Sequence, residues 1–355
     1  MGFLAEIVQP AGLWSKIIYG MEGAVGNYVV AIILVTLLVK LVMVPFDFYN
    51  KLVTKKNTRK QAVLQPAMEK IKRQYASNPQ MQNQKTMELY KRENYSVFGT
   101  CIGMLVYMAL SITIFITLLN GFNDIAAYKM YEEYTSLKEV YNVTYEFEKT
   151  ENGATDEEAT LVAEGKVVEA YADVKNGFLW IKNIWRPDTW VSSVVSFDDY
   201  NAQVSRVRSE KLTDEELAQE KAEYEKIITN SFANDENGTY SKWNGYLILP
   251  ILAAGLTYGS MKVSNYISKR KAQKKNLQLV QAPEAGKGMQ FIMPAIMGIF
   301  TLLYNAAFGI YIVVGALFGF VASPLISMIV DNIDYKQQLK EESKKTVSYS
   351  RNNRR

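Results

Sequence analysis

Histidine is absent from the sequence, and cysteine occurs once, at Cys101. Those two facts leave almost no room for disulfide frameworks, zinc sites, Ser-His-Asp triads or Cys-His pairs. A glycine-rich phosphate loop is missing too, since Gly286-Lys287-Gly288 lacks the Walker spacing and follows no strand pattern. A self-contained enzyme is therefore not expected, and no catalytic residue, metal ligand or cofactor is assigned. Residues 1–27 lack the basic leader of a secretory signal and carry no lipobox cysteine.

Charge is missing from several long stretches, although charged residues make up 21% of the chain and the mean hydropathy is near zero. A bilayer core about 30 Å thick needs roughly 20 apolar residues in a helix. Residues 28–46 meet that with only Lys40 intervening, and residues 97–119 meet it with no charge at all. The run 244–261 is shorter and carries Pro250. From 289 to 330 about 42 residues pass without a charge, enough for two helices. A break at Asn305 to Gly309 places a fourth span at 289–304 and a fifth at 306–330. None of these runs shows the polar face that a soluble core helix presents every 3.6 residues. The expected fold is an all-α polytopic membrane protein with five transmembrane helices.

Lysine and arginine distribute unevenly between the runs. Residues 47–96 hold eleven Lys or Arg against four Asp or Glu, 262–290 seven against one, and 331–355 seven against four. Residues 120–242 hold thirteen against twenty-five, a net of −12. Basic loops stay in the cytoplasm. The N-terminus is then outside and the C-terminus inside, as an odd number of spans also requires. Residues 47–96 form a cytoplasmic segment, 262–288 a basic cytoplasmic loop and 331–355 a basic cytoplasmic tail. Ahead of the first span, Leu4, Ile7, Val8, Leu13, Trp14, Ile17 and Ile18 recur at helical spacing, as in an interfacial amphipathic helix.

Between the first two spans, Leu64, Met68, Ile71 and Tyr75 fall on one helical stripe. Pro66 suits a first-turn position, and Ala76-Ser77-Asn78-Pro79 reads as a turn. A second helix follows from about Met81 to Arg92, with Met87 and Tyr90 as stripe candidates. The pair reads as a basic helical hairpin, either a solvated linker or a docking surface for a nascent chain, the ribosome or lipid headgroups.

Leu64-Gln65-Pro66, Ile71, Tyr75, Asn78-Pro79, Met87 and Leu89-Tyr90-Lys91 resemble, without gaps, the cytoplasmic hairpin of the YidC family of membrane protein insertases. Phe178-Leu179-Trp180, Tyr246 and Leu249-Pro250-Ile251-Leu252 are similar to the approach to that family's third span, and Phe308-Gly309-Ile310-Tyr311 to its fifth. The layout looks like the five-span Gram-positive type. The second span departs from the family pattern: Gly99 and Cys101 are kept, but Val97, Gly103 and Ala109 replace prolines and Tyr107 a glutamine. Ile312 stands in place of the fifth span's tryptophan.

An ionisable residue inside a span is a functional hypothesis by default, although Lys40 lies near enough to the helix end to snorkel. The resemblance implies more. At this position, five residues before Pro45, the family carries an arginine in a hydrophilic groove open to the cytoplasm and lipid. Lys40 keeps that charge and loses the bidentate fork. Thr36, Tyr107, Ser111, Thr301, Tyr304 and Tyr311 are candidate groove-lining residues, each equally suited to an interhelical hydrogen bond. The family implies nascent membrane-protein clients and the lipid bilayer as partners, with the ribosome and a protein translocation channel as further candidates. It implies a bacterial plasma membrane, no DNA and no small-molecule cofactor.

Residues 120–243 are long for a five-span member. Residues 141–148 and 160–172 have strand-like content, and 213–231 read as a helix with Thr213 capping and Glu216 at the capping-box position. A small α+β extracellular insert is the expectation. The tail ends in Ser350-Arg351-Asn352-Asn353-Arg354-Arg355, a composition that suits contact with lipid headgroups. Two rival readings stay open, a solute transporter and an accessory that depends on a translocation channel. Paired intramembrane charges and related halves would favour the transporter. The sequence offers one isolated lysine and no convincing repeat.

Overall fold

The computed structural model describes residues 6–93, 95, 97–233, 239, 240, 242–274 and 285–352. The middle of the basic loop at 275–284 and the last three residues of the tail lie outside these, as does the side chain of Cys101. The order of helices is α1 (Leu13–Val25), α2 (Tyr28–Gln74), α3 (Pro79–Arg92), α4 (Val97–Thr150), α5 (Asp156–Val174), α6 (Phe197–Val204), α7 (Asp214–Tyr224), α8 (Asn230–Ala233), α9 (Ile248–Lys274), α10 (Ala285–Leu303) and α11 (Ala306–Asn352). A π-helical turn, Glu225–Thr229, links α7 to α8. Three stretches are long and apolar enough to cross a membrane by length and composition: Tyr28–Gln61, Leu105–Thr150 and Ala306–Lys340. Gln290–Leu303 is a shorter apolar helix. The fold is that of an all-α polytopic membrane protein.

The three long helices outrun any bilayer. At 1.5 Å per residue, the 47 residues of α2 extend about 70 Å and the 54 of α4 about 80 Å. The predicted hairpin is therefore not a separate element. Its first helix is the continuation of α2, and Pro66, expected in a first turn, lies inside that helix with Pro45.

The insert corrects the sequence reading. Among the described residues there is no β-strand, only the isolated bridges Ile7–Arg208 and Phe178–Ile181. The strands expected over 141–148 and 160–172 are the end of α4 and most of α5. Tyr141, Val167 and Tyr171 there supply burial instead of strand pairing. Thr155 caps α5 with Glu158 in a full capping box, the same device that Thr213 and Glu216 provide for α7 as expected.

The chain divides into two compact units, and α2, α4, α9, α10 and α11 contribute residues to both. The first comprises Met1–Leu37, Phe115–Gly255 and Pro294–Gly315. Its core is aromatic: Tyr134, Tyr200 and Tyr224 stand with ring centroids 4.7 to 5.2 Å apart. The Tyr224 hydroxyl donates to the Val195 carbonyl at 2.9 Å. A buried ion pair, Arg208 to Glu220 at 2.6 Å, ties the approach to α7 onto that helix, and Arg208 also donates to Asn201. α1 packs on the middle of α4, where the Trp14 indole donates to Thr117 at 3.0 Å and Lys129 pairs with Glu22 at 2.8 Å. Asn27 then caps α2, accepting from the amides of Val29 and Val30.

One loop organises the ends of two apolar helices in this unit. The amides of Ala306 and Ala307, unsatisfied at the start of α11, donate to the carbonyls of Arg186 and Ile184. The fully buried Asp188 accepts from the amides of Tyr246 at 2.8 Å and Leu249 at 2.6 Å, a cap for α9 supplied from elsewhere in the chain. The break between α10 and α11 is narrower than expected, at Tyr304 and Asn305, with the Asn305 side chain accepting from the Phe308 amide.

Candidate functional site

The second unit comprises Leu38–Ile114, Leu256–Met293 and Ala316–Arg355. Its most unusual feature begins at Lys40. Residues four or seven apart on a helix share a face, so Lys40, Asp47, Lys51, Lys55 and Arg59 form one charged stripe along α2. On α11, Ser323, Ser327, Asp331 and Asp334, four, four and three residues apart, likewise share a face.

The two stripes meet. The Lys51 ammonium donates to the Ser323 carbonyl at 3.0 Å and to its hydroxyl at 3.1 Å. Lys55 pairs with Asp331 at 2.8 Å, and Arg59 with Asp334 at 3.0 Å. The Ser323 hydroxyl also lies 3.2 Å from that of Ser264 on α9. Nearer the apolar run, the Tyr107 hydroxyl of α4 donates to the Asp47 carboxylate. The neighbouring Ser111 hydroxyl is buried beside that of Tyr107. Lys40 itself is half-buried and makes no hydrogen bond or ion pair among the described residues. Among the described residues, the carboxylate whose field reaches it is that of Asp47, two turns further along the same face.

This geometry sorts the candidates. Lys40, Tyr107 and Ser111 belong to the polar track. Thr36 and Thr301 lie in the first unit, fully buried, each bonded to a carbonyl of its own helix. Tyr311 is packed among Phe115, Phe122 and Phe308, and Tyr304 stacks against Phe308 with centroids 5.0 Å apart. Sequence reasoning missed Asp47 and Lys51, and the α11 partners of Lys51, Lys55 and Arg59. The i, i+4 run Lys51, Lys55, Arg59 was the available signal.

The hairpin closes on a small core of its own. Leu64 and Leu89 are buried with Tyr95, and Ala67, Met68, Ile71 and Tyr90 pack around them. The Tyr90 hydroxyl donates to the Met68 sulfur at 3.5 Å. Asn78 caps α3 through the Met81 amide, with Pro79 in the first turn. Gln65, Pro66 and Pro79 are exposed, and Tyr75 is half-buried at the turn. Met87, expected in the stripe, is exposed instead, because Leu89 and Tyr90 occupy the face turned to α2.

Comparison with known proteins follows the same lines. A family model described as 60Kd inner membrane protein matches residues 20–332. The membrane protein insertase YidC of Fusobacterium nucleatum is 38% identical over 97 residues, 27% of this chain and 45% of that protein. That of Alkalilimnicola ehrlichii is 36% identical over 121 residues, 34% of this chain and 20% of the relative. That of Caldanaerobacter subterraneus is 37% identical over 82 residues, covering 23% and 38%. The chain thus spans less than half the length of the curated relatives it matches.

Proposed function

The chain belongs to the 60Kd inner membrane protein family, and from that premise we propose that it is a membrane protein insertase of a bacterial plasma membrane. It moves short hydrophilic segments of client proteins across the bilayer and releases client helices into lipid. Its five spans run N-terminus out to C-terminus in, by the loop charges. The polar track from Arg59 to Lys40 is the observation that supports this reading.

A polar or acidic segment entering hydrocarbon loses its hydration without compensation, at a cost of several kcal/mol per group. A polar track reaching into the apolar run shortens that dry path. Lys55 and Arg59 have their counter-charges on α11. Lys40 does not, and its field is opposed only by Asp47, whose negative charge Tyr107 already engages. A carboxylate on a client tail is the complementary group. The client's apolar helix then leaves into lipid, driven by burial of its own surface, and no covalent bond changes. The hairpin, with its buried Leu64–Leu89 core, supplies a basic surface for a nascent chain or a ribosome.

The test is insertion of a short-tailed, single-span client into liposomes holding only the purified protein, scored by protease protection of the translocated tail. Protection well above empty liposomes supports an autonomous insertase. Background protection by correctly folded protein would overturn it in favour of a channel-dependent accessory.

A further inference from the structure

Two non-glycine residues among those described hold a left-handed backbone, Leu179 at φ 52° and Leu247 at φ 64°. Bulky residues take that conformation only where the surroundings force it, and such strain gathers at functional places. Both leucines lie around the same carboxylate. Phe178 and Ile181 exchange two backbone hydrogen bonds of 2.9 Å, which leaves Leu179 and Trp180 as the tip of a two-residue turn. The Trp180 indole donates to Asp188 at 3.3 Å, the carboxylate that also holds the amides of Tyr246 and Leu249. Gly245 is pressed so closely on Asp188 that any side chain there would collide with the carboxylate.

The outcome of this strained arrangement is an exposed apolar plate. Leu179 is 76% exposed and Trp190 66%. Trp243 and Tyr246 are exposed beside each other, with ring centroids 6.1 Å apart. Thr189, next to Trp190, accepts from the Gly245 amide, which ties the segments that carry these four side chains to one hub. Water gives such a patch no stabilisation, and contiguous exposed apolar surface marks an interaction site.

Its position identifies the partner. The same loop caps α11, which is long and apolar enough to span a membrane, through the Arg186 and Ile184 carbonyls. The plate therefore sits where apolar helices begin, and Ile251 and Leu252, in the first turns of α9, are exposed as well. Indole and phenol rings at that level favour the headgroup boundary, where an apolar body and a polar tip are both accommodated. We propose that Leu179, Trp190, Trp243 and Tyr246 form a lipid-docking plate that seats the insert on the outer leaflet. Asp188 holds the plate in register with the starts of α9 and α11.

Spin labels at Leu179→Cys and Trp190→Cys, with native Cys101 replaced by serine, test this on the full chain in phosphatidylglycerol-containing vesicles. Both positions are more than half exposed, so labelling leaves the packing intact. Leu161→Cys on α5, also exposed, is the aqueous reference. The expected result is a shift of collision preference at 179 and 190 toward lipid-soluble oxygen and away from a water-soluble nickel chelate, with the reverse at 161. Nickel-dominated collisions at all three positions would overturn the proposal and leave the plate facing water or a protein partner.

Discussion

Lys40 and Asp47 carry opposite charges on one face of α2, and their different surroundings decide what each can do. Asp47 accepts from the Tyr107 hydroxyl, and Lys51, one turn beyond, is bonded to Ser323. Hydrogen bonds to a charged group contribute about 1.5–3 kcal/mol, so Tyr107→Phe should lower the thermal midpoint in detergent by a loss of that size. An unchanged midpoint would mean the contact is incidental. Asp47→Asn has a different expected effect. It removes the carboxylate that opposes Lys40, so association of an acidic client tail should strengthen by about 1 to 2 kcal/mol, roughly 5- to 30-fold. Crosslinking yield from a photoreactive group in the client tail reads this, and a lower yield would contradict it.

At the scale of elements, helix ends carry the clearest predictions. Asp188→Ala leaves the Tyr246 and Leu249 amides and the Trp180 indole without their acceptor. We expect a loss of at least about 2 kcal/mol in the thermal unfolding of the first unit, with Asp188→Asn intermediate. Equal stability of all three proteins would refute the capping role. The capping boxes give a pH dependence. Bonds from the backbone amides of Thr155 and Thr213, then from their hydroxyls, hold Glu158 and Glu216 below the usual glutamate range. The unfolded chain therefore takes up protons first as pH falls below about 4.3. Stability that these glutamates contribute above that value is lost as pH drops through their lowered folded values. The double variant Glu158→Gln, Glu216→Gln keeps both caps without the titration, so its acid unfolding should be shallower than the parent's.

These elements also mark what sequence alone could reach. A run of 20 residues without charge has few structural solutions, so the apolar helices were legible, as was the Thr213 cap. The Thr155-Asp156-Glu157-Glu158 box carried the same signal and was overridden by valine and tyrosine content that serves an aromatic core. Asp47 and Asp188 were not legible as hubs, because each acts on groups about 60 positions away in the chain. The α2 stripe was visible in spacing, but its α11 partners lie 272 to 276 residues away.

For the whole molecule, the function proposed above assigns the charge asymmetry and the polar track to one directional task. Residues 47–96, 262–290 and 331–355 are basic, the insert carries a net of −12, and Lys40, at the end of the charged stripe, makes no ion pair among the described residues. An insertase working this way should be selective for tail charge, in proportion to what Lys40 contributes. The most direct test crosses two client tails, acidic and neutral but equal in length, with three proteins, the parent, Lys40→Ala and Lys40→Arg, in liposomes scored by protease protection. The account predicts that Lys40→Ala loses most of the advantage of the acidic tail while inserting the neutral one nearly as well as the parent, and that Lys40→Arg restores it. Equal insertion of the acidic tail by parent and Lys40→Ala would contradict the electrostatic role of the track.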